Sequence, residues 1–478
     1  MKVRTRFAVS PTGFMHVGGV RNALFDWLFA RQHGGQFLLR MDDTDQEREV
    51  EGSQEHIFKT LMAVGIDWDE GPDVGGPHSP YAQSQRLEIY REWGQKLADA
   101  GLAYADPYTP EEVQSFREEA QKAKRPFLFR NHRPENPPVW DGTMPLRLKS
   151  TPKAYKWHDV VMGDMSAGED SVDDLVLIKS DGYPTYNFCN IIDDHVMDIT
   201  HVIRSQEFIA SMPKYLNMYE ALDIPLPVFA TLPYIMGPDG NKKLSKRDGA
   251  KDALDYLKEG YLPEAFLNFL ATLGWNDGTE QEVFSVQELT EKFSLERISK
   301  GGAAFDEKRL LWLNGAHIRN LTLEELNERV TNFWPTSAKD ADQEYKLTVL
   351  GLVQERLKLL TDLSTLSAFF FEEPDTSAVK ELLQDQKNKP LKKLDDSEKK
   401  AVLQAAHDSL SQSDFSLADI DTRLNALLQE LDTKPAVLFS LIRIAITGAP
   451  FSPSLFESLE TLGKEKSLAR IVSTLELL

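Results

Sequence analysis

The chain has 478 residues, a formal net charge of −21 and 41% hydrophobic residues, proportions typical of a globular protein with about three domains. No apolar run approaches the roughly 18 residues of a membrane-spanning helix, and a cytoplasmic protein is expected. The single cysteine, Cys189, excludes an internal disulfide and a multi-thiolate metal site, and the acidic balance argues against nonspecific nucleic-acid binding.

The first predicted elements are a short strand over residues 3–9 and the helix that follows it. Apolar residues recur at three- and four-residue spacing over residues 17–31, so one helix face can pack on a sheet. His16, Gly18 and Gly19 fall between the strand and the helix, where unpaired N–H groups and the helix dipole favour a phosphate. From this stretch alone, a phosphate site and a tight turn are equally good interpretations.

A second strand is predicted over residues 36–41, and it runs into the acidic stretch 42–45. The order strand, helix, strand predicts a parallel unit with its ligand edge at the carboxyl ends of the strands. At least one of the acids is expected to face that edge, although a solvated turn is an alternative. Helices are predicted over residues 52–64 and 83–101.

Residues 102–171 have a different composition, with a helix-prone piece followed by Pro, Arg and aromatic residues. Basic and aromatic residues that alternate in this way are typical of contact with an unpaired nucleic-acid strand. The alternative, favoured for each individual residue, is a small β-rich insertion with an aromatic core. The residues concerned are Arg125, Phe127, Phe129, Arg130, His132, Arg133, Trp140, Arg147 and Lys149.

The next part of the chain again alternates strands and helices. The predicted strands cover residues 173–179, 199–203 and 225–234, and the predicted helix between the last two covers 207–222. Arg204 directly follows one of these strands and is therefore expected at the ligand edge of the sheet.

The loop 237–249, GPDGNKKLSKRDG, crowds four cations into six positions. Their mutual repulsion favours a bound anion, and a solvated basic loop is the alternative. Beyond residue 250 the periodicity is helical to the end, with one long helix predicted over 345–371 and a polar linker or exposed turn over 386–400.

Two motifs connect these observations. HVGG after SPTG (residues 16–19) and KLSKR (residues 243–247) resemble the HIGH and KMSKS motifs of class I aminoacyl-tRNA synthetases. Further segments make the whole chain similar to bacterial glutamyl-tRNA synthetases. They are RMDDTD, DEGPDVGGPHSPY, KSDGYPTYNF, HVIRSQEF and GYLPEAFLNFLATLGW. The resemblance implies an α/β fold: a Rossmann-type parallel-sheet catalytic domain with an α+β insertion, followed by an all-helical anticodon-binding region.

The resemblance also implies domain boundaries. The catalytic domain would occupy residues 1–101 and 172–236, interrupted by an acceptor-end-binding insertion over 102–171. The KLSKR loop and stem-contact region would cover 237–320, and the helical anticodon-binding region 321–478, with a possible subdivision near 385–400.

The reaction implied is ATP-dependent attachment of L-glutamate to the 3′ end of tRNA(Glu) through glutamyl-adenylate, with release of AMP and pyrophosphate. No side-chain nucleophile is needed, so catalysis would consist of positioning and charge stabilisation. His16, Lys243 and Lys246 would be the catalytic residues, and Mg²⁺ would be held chiefly by the phosphates. The implied ATP-binding residues are Thr12, Gly13, His16, Gly18, Gly19, Lys243, Ser245 and Lys246.

To discriminate glutamate from glutamine, the enzyme requires a group that binds the side-chain carboxylate. Arg204 can do so bidentately. Asp42 is a candidate partner for the ammonium group, although many relatives carry glutamate there and its reach is one methylene shorter. The implied glutamate-binding residues are Arg6, Ser10, Asp42, Tyr186, Asn190 and Arg204.

Other expectations concern metal, tRNA and assembly. Some relatives hold zinc with cysteines where this chain has residues 103–106, AYAD, so no zinc is expected. Arg356 and Arg443 match positions where relatives contact the anticodon, and ion pairing with a neighbouring helix is the alternative. A monomer is expected. The alternative functions are a non-discriminating enzyme that also glutamylates tRNA(Gln) and a glutaminyl-tRNA synthetase.

Overall fold

The computed structural model describes residues 2–244 and 251–478. The chain divides into two compact units, the first comprising residues 1–257 with 263–310 and the second comprising 258–262 with 311–478. Among the described residues, none of the helices combines the length and the apolar character that crossing a bilayer requires.

The strands of the described residues all lie in the first unit. They are β1 (Arg4–Val9), β2 (Gln36–Met41), β3 (Ala103–Ala105), β4 (Leu146–Leu148), β5 (Tyr155–Asp159), β6 (Gly163–Ala167), β7 (Val176–Ile178), β8 (His201–Ser205), β9 (Val228–Leu232), β10 (Ile235–Met236) and β11 (Ala303–Ala304).

The helices of the same unit follow these strands along the chain. They are α1 (Val17–Gln32), α2 (Ser53–Val64), α3 (Leu87–Asp99), α4 (Pro110–Lys122), α5 (Tyr186–Val196), α6 (Met212–Leu222), α7 (Ala253–Lys258), α8 (Pro263–Ala271), α9 (Val286–Lys292) and α10 (Glu307–Asn320), the last of which continues into the second unit.

The parallel sheet that was predicted from the strand–helix–strand order is present. β1 and β2 run parallel in the register Arg4↔Gln36 to Val9↔Met41, and β8 and β9 also run parallel. The amide of Thr200, just before β8, donates to the Arg4 carbonyl at 3.0 Å, which brings β8 beside β1. The carboxyl ends of β1, β2 and β8 therefore meet at one edge.

Helix α1 differs from the prediction of a single buried face. Its residues are buried around almost the whole circumference, from Val17 to Ala30. The reason is that α1 contacts β1 and β2 on one side and α8 and α9 on another. A helix covered on two sides loses the polar face that a surface helix retains.

The insertion contains β3 and β4, which pair antiparallel with each other, and β4 also pairs antiparallel with β7, which lies beyond residue 171. Its aromatic residues are mainly core, since Phe129 and Trp140 are 2% and 6% exposed. Arg133 pairs with Asp174 at 2.6 Å, and Arg147 pairs with Asp106 at 2.6 Å. For these residues the structural interpretation is correct, but the core is not separate, because Trp140 packs in one cluster with Leu38 of β2 and Phe188 of α5.

The second unit is helical, as predicted. Its helices after α10 are α11 (Leu323–Arg329), α12 (Gln343–Gln354), α13 (Asp362–Phe371), α14 (Thr376–Gln384), α15 (Asp396–Ser411), α16 (Leu417–Glu430), α17 (Pro435–Thr447), α18 (Leu455–Leu462) and α19 (Lys464–Leu477). Leucine, isoleucine, valine and phenylalanine side chains from α12 to α19 form one buried core.

Two boundaries in this unit were predicted wrongly. The single helix expected over 345–371 is two helices, because Asp362 accepts hydrogen bonds from the amides of Lys358 and Leu359 at 3.0 and 2.9 Å and starts a new helix. The polar linker expected over 386–400 ends early, because Asp395 and Glu398 form a capping box that starts α15.

Candidate active site

His16 forms the N-cap of α1. Its backbone is extended, with φ −105° and ψ 173°, and its ring Nδ1 accepts a hydrogen bond from the Gly18 amide at 3.1 Å. Because Nδ1 accepts, the proton of the neutral ring resides on Nε2, which is a hydrogen-bond donor. The exposed ring therefore combines a donor with the positive end of the α1 dipole.

The structure shows why glycine follows His16 at positions 18 and 19: a side chain at either position would come very close to a neighbouring side chain. A Cβ at Gly18 would lie 3.0 Å from Cε1 of His16, so the glycine allows the ring to fold over the helix start. A Cβ at Gly19 would lie 3.3 Å from Cγ of Met15. Gly18 thus makes room for His16 as well as for any ligand.

A cavity of about 280 Å³ opens beside the start of α1, and we refer to it as the α1 cavity. Its wall is formed by the first turns of α1, by the residues that follow β8 and by the segment around β10. The lining residues are His16, Val17, Gly18, Gly19, Arg21, Asn22, Ser205, Glu207, Tyr234, Ile235, Lys243 and Leu244.

Lys243 reaches the α1 cavity from a β-bridge with Met236. Its ammonium lies 2.9 Å from Oε2 of Glu207 and 4.4 Å from the centre of the Tyr234 ring. Both members of the ion pair are about half exposed, so solvent screens the attraction and the lysine can exchange partners. Ser245 and Lys246, also predicted for this site, lie outside the described residues.

Thr12 and Gly13 are not among the residues that line the α1 cavity. They lie in the turn after β1, where the Ser53 hydroxyl donates to the Gly13 carbonyl at 2.8 Å. The Thr12 amide donates to the Ser10 carbonyl at 2.8 Å, which shapes the same turn. The structure thus brings His16, Gly18, Gly19 and Lys243 together but leaves these two residues apart.

Three of the predicted glutamate-binding residues, Arg6, Asp42 and Asn190, belong to a buried ionic network. Arg6 holds both oxygens of Asp194 at 2.9 and 3.2 Å, and Arg40 contacts the same carboxylate at 2.8 Å. Arg40 also donates to Asp42 at 2.8 Å, and the Asn190 amide donates to the other Asp42 oxygen at 3.1 Å. Each carboxylate is therefore already oriented by protein donors.

The two carboxylates of this network, Asp42 and Asp194, differ in the direction in which their pKa is shifted. Burial alone would raise the pKa of Asp194, but Arg6 and Arg40 outweigh it and hold that pKa below its usual value. Burial raises the pKa of Asp42 against the attraction of Arg40. Asp194 and Arg40 were not predicted as site residues. The position of Arg40 inside the apolar strand β2 could have indicated a buried ionic interaction.

Arg204 lies at the end of β8, and its surroundings differ from those of Arg6 and Arg40 in the ionic network. Its guanidinium lies 4.5 Å from the centre of the Tyr215 ring and 5.2 Å from that of Phe208, and Nη2 is 2.9 Å from the Met212 sulfur. None of the described carboxylates lies within ion-pair distance of it. Aromatic and thioether neighbours therefore hold the cation in place and leave its charge for another acceptor.

Tyr186 lies between Arg204 and the ionic network. Its ring stacks on Phe208 with centroids 5.7 Å apart. Burial and the Asp42 carboxylate raise the pKa of Tyr186, whereas Arg204 and Arg6 lower it, so all three charges act on one hydroxyl. The half-buried Ser10 lies at the end of β1, on the same edge of the sheet.

The two arginines predicted to contact the anticodon lie close enough to interact. Burial lowers the pKa of Arg443, and the charge of Arg356 adds to that effect. Arg443 donates to the Ser452 hydroxyl at 3.0 Å, and neither arginine forms an ion pair with a described carboxylate. Two neighbouring cations without a counter-charge favour an anionic partner over pairing with a helix of the same chain.

Sequence comparison places the chain in a family. The profile of tRNA synthetases class I (E and Q), catalytic domain, matches residues 2–312, and that of an anticodon binding domain matches residues 325–475. The chain therefore belongs to the class I tRNA synthetases of the glutamate and glutamine group.

Individual relatives match along their whole length. Glutamate--tRNA ligase 1 of Caldanaerobacter subterraneus is 39% identical over 482 residues, covering 98% of this chain and 97% of the relative. Glutamate--tRNA ligase of Dehalococcoides mccartyi is 40% identical over 478 residues, covering 98% and 96%. The crystal structure of a glutamate tRNA ligase from Elizabethkingia meningosepticum with its amino acid gives a TM-score of 0.87 at 33% identity, covering 100% of this chain and 99% of that one.

Proposed function

We propose that this chain is a glutamate--tRNA ligase that activates L-glutamate with ATP and transfers the glutamyl group to the 3′ end of tRNA(Glu). Full-length similarity to ligases of that name supports the reaction. The observation that carries the amino-acid assignment is Arg204, a guanidinium at the ligand edge with no described carboxylate partner. A glutamate side chain supplies the missing carboxylate, which glutamine lacks.

The amino acid binds between Arg204 and the ionic network. Its side-chain carboxylate accepts from Arg204, and Tyr186 contacts its aliphatic stem or a polar atom. Its ammonium group faces Asp42, whose negative charge Arg40 and Asn190 already orient. Arg6 and Ser10 complete the site at the end of β1.

ATP binds in the α1 cavity with its phosphates at the start of α1. Nε2 of His16 and the helix amides donate to phosphate oxygens as the glutamate carboxylate attacks the α-phosphorus. Lys243 leaves Glu207 and follows the charge onto pyrophosphate, together with Lys246 of the same motif. Thr12, Gly13 and Ser245 are proposed as further nucleotide contacts.

Magnesium enters with ATP as part of the substrate. Glu207 is the only carboxylate among the described residues that line the α1 cavity. No group of three or more potential metal ligands occurs among the described residues of the chain. This arrangement fits an ion that the phosphates carry, since Mg²⁺ commonly takes few ligands from the protein and keeps several waters.

The tRNA is proposed to contact the second unit through Arg356 and Arg443. Their neighbouring charges suit the phosphates and base edges of an anticodon loop. Arginine at both positions favours an enzyme that discriminates tRNA(Glu) from tRNA(Gln).

Charging assays test the proposal directly. Transcripts of tRNA(Glu) and tRNA(Gln) are each incubated with ATP and with labelled glutamate or labelled glutamine. Glutamyl-tRNA(Glu) is the expected product. Glutamyl-tRNA(Gln) as a second product would indicate the non-discriminating form, and the absence of any glutamyl-tRNA would reject the proposed function.

A further inference from the structure

Arg21 is a buried arginine in the wall of the α1 cavity. It lies on α1 four residues after Val17 and three after Gly18, so it shares their face of the helix. The residue is 3% exposed and lines the cavity together with His16 and Lys243.

The partners of Arg21 are neutral. Nη1 donates to the carbonyl of Leu273 at 3.1 Å, Nη2 donates to the carbonyl of Pro233, and Nε is buried without a partner. No described carboxylate lies within ion-pair distance of Arg21, whereas Arg6 and Arg40 each contact at least one aspartate. Burial lowers the pKa of Arg21 to about 10, so it still carries its charge at neutral pH.

The contact with Pro233 connects the two sides of the cavity. Pro233 directly precedes Tyr234 and Ile235, which line the wall opposite α1 and lead into the segment with Lys243. A hydrogen bond from α1 to the Pro233 carbonyl therefore fixes the distance between His16 on one wall and Tyr234 on the other.

The buried Arg21 cation contacts two carbonyls and, at 5.7 Å, the Phe25 ring, but it lacks an opposite charge, and an uncompensated buried charge is costly. The cavity that it lines opens at the start of α1, where the helix dipole is also positive. The missing negative charge is one that a polyphosphate supplies and a neutral nucleoside does not.

We propose that Arg21 is a positioning residue of the nucleotide site, which ties the Pro233 wall to α1 and gives the cavity a fixed positive charge that selects polyphosphate. This inference rests on the proposed function, because it takes the α1 cavity as the ATP site. Arg21 belongs to neither the HVGG motif nor the KLSKR motif.

The test compares ATP with adenosine as ligands of the full-length chain. Binding of each is measured by calorimetry for the wild type, R21M and R21K, and the melting temperature of each variant is recorded. R21M is expected to weaken ATP binding about tenfold, the size of one charge-assisted contact, and adenosine binding less than twofold. R21K keeps the charge and is expected to retain most of the preference for ATP.

The results distinguish an error in the role of Arg21 from an error in the proposed ATP site. Equal weakening of ATP and adenosine in R21M, or the same loss of preference in R21K as in R21M, would assign Arg21 a purely structural role and overturn the inference. A wild type that binds no ATP would instead reject the proposed site. If R21M is too unstable to purify, R21Q is compared with R21K, since each can donate to the Pro233 carbonyl and only the lysine is charged.

Discussion

The two sides of the proposed active site are built on opposite principles. On the glutamate side, Arg6, Arg40, Asp42 and Asp194 are at most 3% exposed and already hold one another by hydrogen bonds of 2.8 to 3.2 Å. On the nucleotide side, His16 is exposed, and the Lys243 ammonium contacts the Tyr234 ring and a Glu207 carboxylate that is about half exposed.

The difference follows from what each substrate demands. Discrimination between a carboxylate and an amide requires donors that cannot relax around the wrong ligand, and a buried, mutually hydrogen-bonded network resists relaxation. Phosphoryl chemistry moves charge from ATP onto pyrophosphate, so the cations beside it must be able to follow. A buried network and an exposed set of cations can therefore share the same sheet edge.

Removal of Arg40 is expected to have the largest effect on stability. R40M leaves Asp42 and Asp194 buried with fewer compensating donors, and the free energy of unfolding should fall by about 3–5 kcal/mol. The matched control is R48M, which removes an exposed pair with Asp45 and should change it by about 0.5 kcal/mol. Urea denaturation measures both, and similar values for the two variants would contradict the rigid-network account.

Replacement of His16 should affect catalysis without affecting folding. Asparagine is a good N-cap, so H16N can keep the hydrogen bond to the Gly18 amide while it loses the Nε2 donor. The rate of ATP–pyrophosphate exchange, measured with tRNA(Glu) present, is expected to fall on the order of a hundredfold with little change in melting temperature. H407N, on α15, is the control. A drop in melting temperature with an unchanged exchange rate would show that His16 acts only as the N-cap of α1 and not in catalysis.

The smallest effect is expected at the proposed anticodon contact. R443Q removes one of two neighbouring cations, and the KM for tRNA(Glu) should rise about tenfold while the kcat for glutamate activation stays the same. R423Q is the matched control, because Arg423 is already paired with Asp419 at 2.7 Å. Equal KM values for the two variants would exclude Arg443 from the tRNA interface.

The predictability of these features also differs between the two sides. Strand–helix–strand order and glycine placement predicted the parallel sheet and the position of His16, because both are local signals. The partners Arg40 and Asp194 lie 154 residues apart and meet only in the folded chain, which no spacing in the sequence encodes. Arg130, Arg133 and Arg147 resembled an RNA-binding surface for the same reason, since their carbonyl and carboxylate partners lie 41 or 42 residues away along the chain.

The role of Arg204 is tested most directly by the preference of its variants for glutamate over glutamine. The kcat/KM for each amino acid is determined in the charging assay for the wild type, R204K and R204M. We expect a strong preference for glutamate in the wild type, a partial one in R204K, which keeps the charge but loses the bidentate geometry, and a loss of at least about a hundredfold in R204M. An R204M enzyme that still charges tRNA(Glu) with glutamate and rejects glutamine would contradict the assignment of Arg204 to the glutamate carboxylate.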